Sequence, residues 1–251
     1  MIAFMKKEWV ENIKTFKVLI LLCVSFIFGM ISPLLAKLMP DLMSQMDIEG
    51  MTIIIPDPTA LDAYVQFFKN MTQMGLIVLV LIFSGMLTAE LSKGTLINLL
   101  TKGLSRTSVI VSKYTVAVLL WSISLIVAAF TTYGYTIYLF ESFDLVHIGY
   151  SMGCLWLFGV FLLALMIFWQ TVIQTQYGNL LMVALSVGAL FMLNVMPKCQ
   201  PYNPLFLVSN NVAMLNSEYD LQTLLPPVWI TGGLTIVCLG AAIIIFRNKR
   251  I

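Results

Sequence analysis

Residues 90–113 read ELSKGTLINLLTKGLSRTSVIVSK, a short charged stretch between two long apolar runs. Leu96, Leu99 and Leu100 fall at helical spacing, which predicts a short helix with one apolar face and one face toward water. Gly103 is placed to end that helix, and Ser105 is placed to cap a new helix that enters the next apolar run. The bases of the stretch outnumber its single acid, Glu90, and they are Lys93, Lys102, Arg106 and Lys113. We therefore predict a short amphipathic helix at a membrane surface, between two spans.

The composition of the whole chain indicates a membrane protein. Hydrophobic residues make up 60% of the 251 residues and charged residues only 10%. A membrane-spanning helix needs about 20 consecutive apolar residues. The apolar runs predict an all-α polytopic protein, a single transmembrane domain over residues 1–251 with six spans: 18–36, 71–89, 114–140, 149–169, 179–196 and 228–246.

The remaining segments connect those spans. In residues 1–17, Trp9, Ile13 and Phe16 share one helical face, which favours a helix lying in the membrane interface. A basic tail in water is the alternative. Before the second span, Thr59 with Asp62 three residues later predicts a capping box and a helix that continues into that span.

Residues 197–227 form a second connecting segment, and they are too apolar for an ordinary solvated loop. We predict a hairpin that is either re-entrant or interfacial, with Phe206 at least half buried. Within it, Pro204, Leu205 and Phe206 are the candidate external gate.

The basic residues predict the orientation of the chain. The N-terminal tail and the 90–113 stretch each hold four of the 14 Lys and Arg residues, and the C-terminal end holds three. The segments on the other side hold Lys37, Lys69 and Lys198. Because positively charged loops stay in the cytoplasm, both termini and the 90–113 stretch are expected there.

Several chemistries are disfavoured by what the sequence contains. The four cysteines show no disulfide or metal spacing, and His147 has no Cys or second His nearby. Met39, Met43 and Met46 repeat at helical spacing, which suits Cu(I) but suits an apolar helix better. The spans carry no mid-span charge, so an ion-coupled carrier or an intramembrane hydrolase is not expected. The notable polar residues, Asn194 and the group Gln170, Gln174 and Gln176, lie near span ends.

The sequence also lacks the glycine-rich loop and lysine that cradle nucleotide phosphates. If ATP powers this protein, a separate subunit must bind it. We therefore expect no enzyme activity, no metal and no cofactor in this chain itself, and no nucleic-acid partner.

The 90–113 stretch resembles the signature of type-2 ATP-binding-cassette (ABC) exporter permeases. The matching residues are Glu90, Gly94-Thr95, Leu99-Leu100, Ser105-Arg106 and Lys113. The resemblance implies a small bacterial six-span permease in the plasma membrane, paired with a second permease chain as a homodimer or a heterodimer. It also implies a separate ATPase dimer that holds ATP and Mg²⁺. Coupling to that ATPase would involve Glu90, Lys93, Gly94, Thr95, Leu96, Leu99, Leu100, Arg106 and Lys113.

The residues themselves suit such a role. The leucines offer an apolar ridge for a groove on a partner, and Gly94 and Gly103 permit tight turns at either end. The bases would meet acids of that partner or anionic lipid head groups. A helix that lies only on lipid is the alternative.

The cargo is the part of the function about which the sequence says least. An uncharged, aromatic-rich interior favours an amphipathic or hydrophobic cargo, such as a peptide toxin, a bacteriocin or a drug. The aromatic residues in question are Trp121, Tyr133, Tyr135, Phe158, Phe161 and Trp169. The alternatives are a non-transporting membrane scaffold or sensor partnered with an ATPase, and an ABC system that handles an ion or a metal-related cargo.

Overall fold

The computed structural model describes residues 2–44, 57–92, 94–101, 103–141, 145–215 and 225–249, without the side chains of 43, 44 and 97–99. All regular structure in these ranges is helical. The α-helices are α1 Ile2–Lys14, α2 Lys17–Ser44, α3 Ala60–Asn70, α4 Leu76–Phe83, α5 Thr88–Ser92, α6 Thr95–Thr101, α7 Arg106–Leu139, α8 Ile148–Val172, α9 Gln176–Val195, α10 Phe206–Ser209, α11 Asn211–Leu215 and α12 Leu225–Asn248. A π-helical turn, Met71–Gly75, joins α3 to α4, and a 3-10 turn, Gln200–Tyr202, precedes α10.

Six helical stretches are long and apolar enough to cross a membrane, which confirms the predicted all-α polytopic fold. In chain order, spans 1 to 6 are Lys17–Leu42, Ala60–Ser92, Arg106–Leu139, Ile148–Val172, Gln176–Val195 and Leu225–Asn248. Span 2 is composite, because it runs from α3 through the π-turn and α4 to α5. The chain is a multi-pass membrane protein.

The first helix is longer than the predicted span 18–36, because α2 continues to Ser44. It passes through Pro33 and Pro40 without ending. Each proline removes one backbone donor, but in a membrane helix neighbouring groups can satisfy the carbonyl that is freed. The segment from Lys37, which was expected to lie outside the first span, therefore begins as a continuation of that helix.

The predicted cap of the second span is confirmed. The carboxylate of Asp62 accepts hydrogen bonds from the backbone amide and the hydroxyl of Thr59, each at 2.8 Å. These bonds satisfy amide and hydroxyl donors at the start of α3. The helix then runs into the span, as the sequence predicted.

Spans 1 and 3 pack most closely. A Cβ atom at Gly29 would lie 2.9 Å from the carbonyl oxygen of Ala128, so only glycine permits this approach. The hydroxyls of Ser25 and Ser124 are hydrogen-bonded across the same interface at 2.6 Å. Span 4 is the most enclosed span, whereas spans 5 and 6 leave most of their surface uncovered by the rest of the described chain. The core therefore lies around span 4, with spans 5 and 6 at the periphery.

Candidate functional site

The 90–113 stretch folds as two short helices, α5 and α6, followed by the start of span 3. Gly94 and Gly103 have φ angles of +66° and +91°, a region in which L-residues with a side chain are strained. The hydroxyl of Ser105 accepts a hydrogen bond from the amide of Ser108 at 3.2 Å and caps α7. The predicted turns and the predicted cap are therefore confirmed. Lys93 and Lys102 lie outside the described residues.

The leucines of α6 do not form one exposed ridge. Leu96 is 0% exposed and belongs to the main hydrophobic core, and Leu100 is partly buried against that core. The side chain of Leu99 lies outside the described part of the chain. Since Leu96 is fully enclosed by its own chain, it anchors α6 to the spans and does not offer a surface to another protein in this conformation. Thr95, next to it, is exposed.

Charged side chains of α1, α5 and span 3 meet in a cluster whose centre is buried. The Nζ atom of Lys113 is 2.9 Å from a carboxylate oxygen of Glu8 and 2.9 Å from a carboxylate oxygen of Glu90. The exposed fractions of Lys113, Glu8 and Glu90 are 2%, 3% and 7%. We call Lys7, Glu8, Glu11, Glu90 and Lys113 the charge cluster. It joins the N-terminal helix α1 to the ends of spans 2 and 3 that flank α6.

Lys7 completes the pairing inside the charge cluster. Its ammonium contacts Glu90, and it lies 2.7 Å from Glu11 and 3.1 Å from Glu8. Burial alone would lower the pKa of Lys7, but hydrogen bonds to Glu11 and Glu90 outweigh burial and raise that pKa above its usual 10.5. The stability gained from this shift is complete below pH 10.5 and is lost as the pH rises further. Lys7 therefore stays charged throughout the neutral range.

The ring of Phe4 makes cation–π contacts with both bases of the charge cluster, Lys7 and Lys113. The ammonium groups of Lys7 and Lys113 lie 5.3 Å and 5.7 Å from its centroid. Such a contact stabilises a desolvated cation by about 2 kcal/mol. Phe4, Glu8 and Asn12 are the buried residues of α1, and they are spaced four residues apart on one helical face.

Three carboxylates of the charge cluster are close enough together to raise the question of a metal ion. Oxygens of Glu8, Glu11 and Glu90 all lie within 4.8 Å of one another. The ammonium of Lys7 contacts all three residues, and Lys113 contacts two of them. Lys17 lies within electrostatic range of the same acids. Lys7 and Lys113 thus pair with all three acids, Lys17 adds a third positive charge nearby, and the arrangement is an ion-pair network.

Sequence reasoning placed Glu90 and Lys113 in the site but missed Lys7 and Glu8. It predicted a membrane-facing side of α1 from Trp9, Ile13 and Phe16, of which Ile13 and Phe16 are exposed and Trp9 is partly buried. Glu8 lies about 100° around the helix from Trp9, on the face that it shares with Phe4 and Asn12. A signal was present, because an acid and Asn12 recur at a helical spacing from Phe4 in an otherwise basic segment.

Arg106 is engaged with the C-terminal end of its own chain. Its guanidinium donates to the carbonyls of Phe246 at 3.2 Å and Arg247 at 3.0 Å, and also to that of Lys249. These carbonyls belong to the last turn of α12, which has no intrahelical partners for them. Lys249 in turn donates to the carbonyl of Thr171 at 2.6 Å. The C-terminal end is therefore fastened to spans 3 and 4.

The candidate external gate lies in the hairpin between spans 5 and 6. Phe206 is 6% exposed and Pro204 is buried, whereas Leu205 is partly buried. The predicted burial of Phe206 is confirmed; residues 216–224 of the hairpin lie outside the described residues. Buried Asn203 holds the turn, since its side-chain amide donates to the carbonyl of Leu190 at 2.7 Å.

An apolar cavity of about 400 Å³ lies beside the hairpin, between spans 2, 4 and 5. Phe158 is the only one of the six aromatic residues highlighted in the sequence that lines it. Trp121 and Phe161 are instead buried in the bundle, and Tyr133 is exposed. The cavity is lined by Leu76, Val80, Leu162, Val183, Leu205 and Val208 among others.

Comparison of the chain with protein-family models and with curated proteins yields no match.

Proposed function

We propose that this chain is the membrane-spanning subunit of an ATP-driven ABC exporter, and that α6 is the helix through which a separate ATPase acts on it. The observation that carries the proposal is the charge cluster. Glu90 and Lys113, two residues of the signature-like stretch, pair with each other and with α1. A motor outside the membrane can move spans only through a stiff contact, and the paired charges of Glu8, Glu90 and Lys113, which are buried, supply stiffness.

The placement of α6 supports the same role. It is a short helix bounded by two glycines with positive φ, and only a few residues separate it from spans 2 and 3. Leu96 fixes it to the core, so that a force on its outer surface reaches both spans. The docking surface in this proposal consists of Leu99, Leu100 and the neighbouring bases, without Leu96.

We further propose an amphipathic or hydrophobic cargo that moves outward, such as a peptide toxin, a bacteriocin or a drug. The residues that line the cavity beside the hairpin are apolar except for Thr72, which favours this class over hydrated ions. In this proposal two permease chains form the path, and Pro204, Leu205 and Phe206 close its outer end. ATP and Mg²⁺ belong to the ATPase dimer.

The decisive experiment is co-purification of the tagged chain with a candidate ABC ATPase from the same organism. Replacing Leu99 and Leu100 by Asp places charge in an apolar groove, which costs several kcal/mol in the docked state. We expect the double variant to insert, to keep six spans and to lose the ATPase. Ser92→Asp with Thr107→Asp is the matched control, because both residues are exposed and the same charge is added.

Leu96→Asp separates docking from folding. Because Leu96 is fully buried, this change should destabilise the chain itself even without an ATPase. If the Leu99 and Leu100 variant retains the ATPase as well as the wild type does, α6 is a lipid-surface helix and the docking assignment is wrong. If the complex forms but no candidate cargo stimulates ATP hydrolysis in vesicles, a scaffold role replaces export.

A further inference from the structure

Span 2 is interrupted between α4 and α5, immediately before the 90–113 stretch. In an unbroken α-helix the amide of Leu87 would donate to the carbonyl of Phe83. Here the amide of Leu87 donates to Oε1 of Gln170 at 2.7 Å, and Nε2 of Gln170 donates to the carbonyl of Phe83 at 2.9 Å. The side-chain amide of Gln170 thus stands between the two backbone groups that would otherwise bond each other.

Two further side chains, from the first turn of span 5, reach the same interruption. Asn179 donates to the carbonyl of Ser84 at 2.9 Å, and Gln176 donates to the hydroxyl of Ser84 at 2.9 Å. Sharp bends in helices occur at Gly/Ser pairs and where a side chain enters the backbone hydrogen-bond ladder. Ser84 with Gly85 provides the first cause, and Gln170 provides the second.

The two sides of this interruption are anchored to different parts of the protein. Before it, α4 packs on span 4. Three residues beyond Leu87, Glu90 is held by Lys7 of α1 and Lys113 of span 3. The segment from Ser84 to Leu87 therefore connects the part of span 2 that packs on span 4 to the part that is held by α1 and span 3. A bend in this segment changes the angle between these two parts of span 2.

The chemistry of the interruption allows two arrangements and disfavours states between them. If Gln170 withdraws, the amide of Leu87 and the carbonyl of Phe83 can bond directly and span 2 becomes continuous. A state in which neither partner is present leaves the amide of Leu87 unsatisfied, which is costly inside a membrane, whereas the carbonyl of Phe83 also accepts from the amide of Met86 at 3.1 Å. Within the described part of the chain, the side-chain oxygens of Thr88 and Asn179 are buried without a hydrogen-bond partner. Thr88 follows Leu87 in the chain, and Asn179 donates to Ser84, so both side chains belong to the interruption.

We propose that Gln170 is the positioning residue of a two-state joint in span 2. Inserted, it splits the span; withdrawn, it leaves a continuous helix that carries α5 and α6 at a different angle. The joint goes beyond the proposed function and does not depend on it. Where the proposed function holds, the joint is the point at which movement of α6 is divided between α1 and span 3 on one side and spans 4 and 5 on the other.

The joint is tested by the distance between spin labels at positions 77 and 92, on either side of it, in the chain alone in lipid nanodiscs. Both residues are exposed, and the native cysteines are replaced beforehand. Gln170→Leu cannot insert, so the distribution should shift to the separation of an unbroken helix, about 22 Å between Cα atoms. Gln174→Leu is the control, because it makes the same change at an exposed position between spans 4 and 5. It should give the same distance distribution as the chain with Gln170 and Gln174 in place.

Two more variants make the test independent of the folding of Gln170→Leu. Gly85→Ala raises helix propensity at the joint and should shift the distribution in the same direction. Adding Leu87→Pro to Gln170→Leu removes the amide that the unbroken helix needs, so the distribution should return to that of the wild type. Superimposable distributions for the wild type and Gln170→Leu overturn the proposal, as does a double variant that stays shifted. If Gln170→Leu yields no folded protein, Gly85→Ala decides alone. Since no ATPase is present, this result is separate from that of the docking experiment.

Discussion

Lys113 and Glu8 occupy positions where an unpaired charge is very costly. Taking a carboxylate or an ammonium out of water costs several kcal/mol, which only close, opposite charges can offset. In the charge cluster each buried charge has such a partner within 3 Å. The cluster therefore tolerates removal of a whole pair better than removal of one member.

Lys113→Met should be strongly destabilising at the residue scale. It removes the buried cation shared by Glu8 and Glu90 and leaves them only Lys7, which is partly exposed, at a cost of up to about 3–5 kcal/mol. We expect the thermal midpoint of the purified chain in detergent to fall by about 10 °C. Lys6→Met, at an exposed position of α1, is the control and should change it little. Glu8→Gln added to Lys113→Met should recover part of the loss; a double variant worse than the single one would contradict this account.

Arg106→Ala changes a second base of the 90–113 stretch, at the first residue of α7. The guanidinium satisfies carbonyls in the last turn of α12, where a positive charge also interacts favourably with the helix dipole. Without it, amide hydrogen exchange at residues 244–249 should rise about tenfold, while exchange in α1 stays unchanged. Equal exchange at 244–249 in both proteins would show that Lys249, through Thr171, holds this end alone.

At the element scale, the sequence predicted what local patterns determine. The glycine turns, the Ser105 cap and the Thr59–Asp62 cap depend on residues within a few positions of one another, and each is confirmed. The interruption of span 2 was not predicted, because Gln170 lies 83 residues from Leu87 in the chain. The inward position of Glu8 was missed for the same reason, since its partner Lys113 lies 105 residues away.

The hairpin offers a matched pair of aromatic residues for an element-scale prediction. Phe206 is 6% exposed, whereas Tyr202 is 59% exposed. Phe206→Ala removes a buried aromatic side chain and should destabilise the chain by about 3–5 kcal/mol. Tyr202→Ala should stay within about 0.5 kcal/mol of the wild type. The midpoints of thermal unfolding in one detergent give the comparison. Equal losses for the two variants would mean that the hairpin is not packed through Phe206.

At the scale of the whole molecule, hydropathy predicted the number and order of the spans but not how they are held together. Apolar length marks a helix that can cross a membrane, so all six spans were found. The ends of spans 1, 2, 4 and 6 were placed too early, as in α2, because these helices persist beyond the apolar residues, whereas the ends of spans 3 and 5 were predicted to within one residue. Which spans lie at the centre depends on contacts such as Gly29 against Ala128, which no single-span pattern contains.

The orientation of the six spans is the prediction that applies to the molecule as a whole. The contacts bring α1, the start of span 3 and the end of α12 together, and these segments carry Lys6, Lys7, Lys14, Arg106, Lys113 and Arg247. Positive loops are retained in the cytoplasm, so this end should face inward and Cys199 should face outward. Cys199 is a partly exposed free thiol, and the other cysteines, Cys23, Cys154 and Cys238, lie inside spans.

A membrane-impermeant thiol reagent distinguishes the two sides directly. In intact cells it should label the wild type at Cys199, and it should not label a cysteine placed at position 102 in a background where Cys199 is replaced. Permeabilising the cells is the internal control, because position 102 should then become reactive. The eleven bases predicted for the cytoplasmic side all favour the same orientation. We therefore expect a single orientation and not a mixture of two. Labelling at position 102 before permeabilisation would mean that the orientation is the reverse of the predicted one. An ATPase would then have to reach α6 from the outer side.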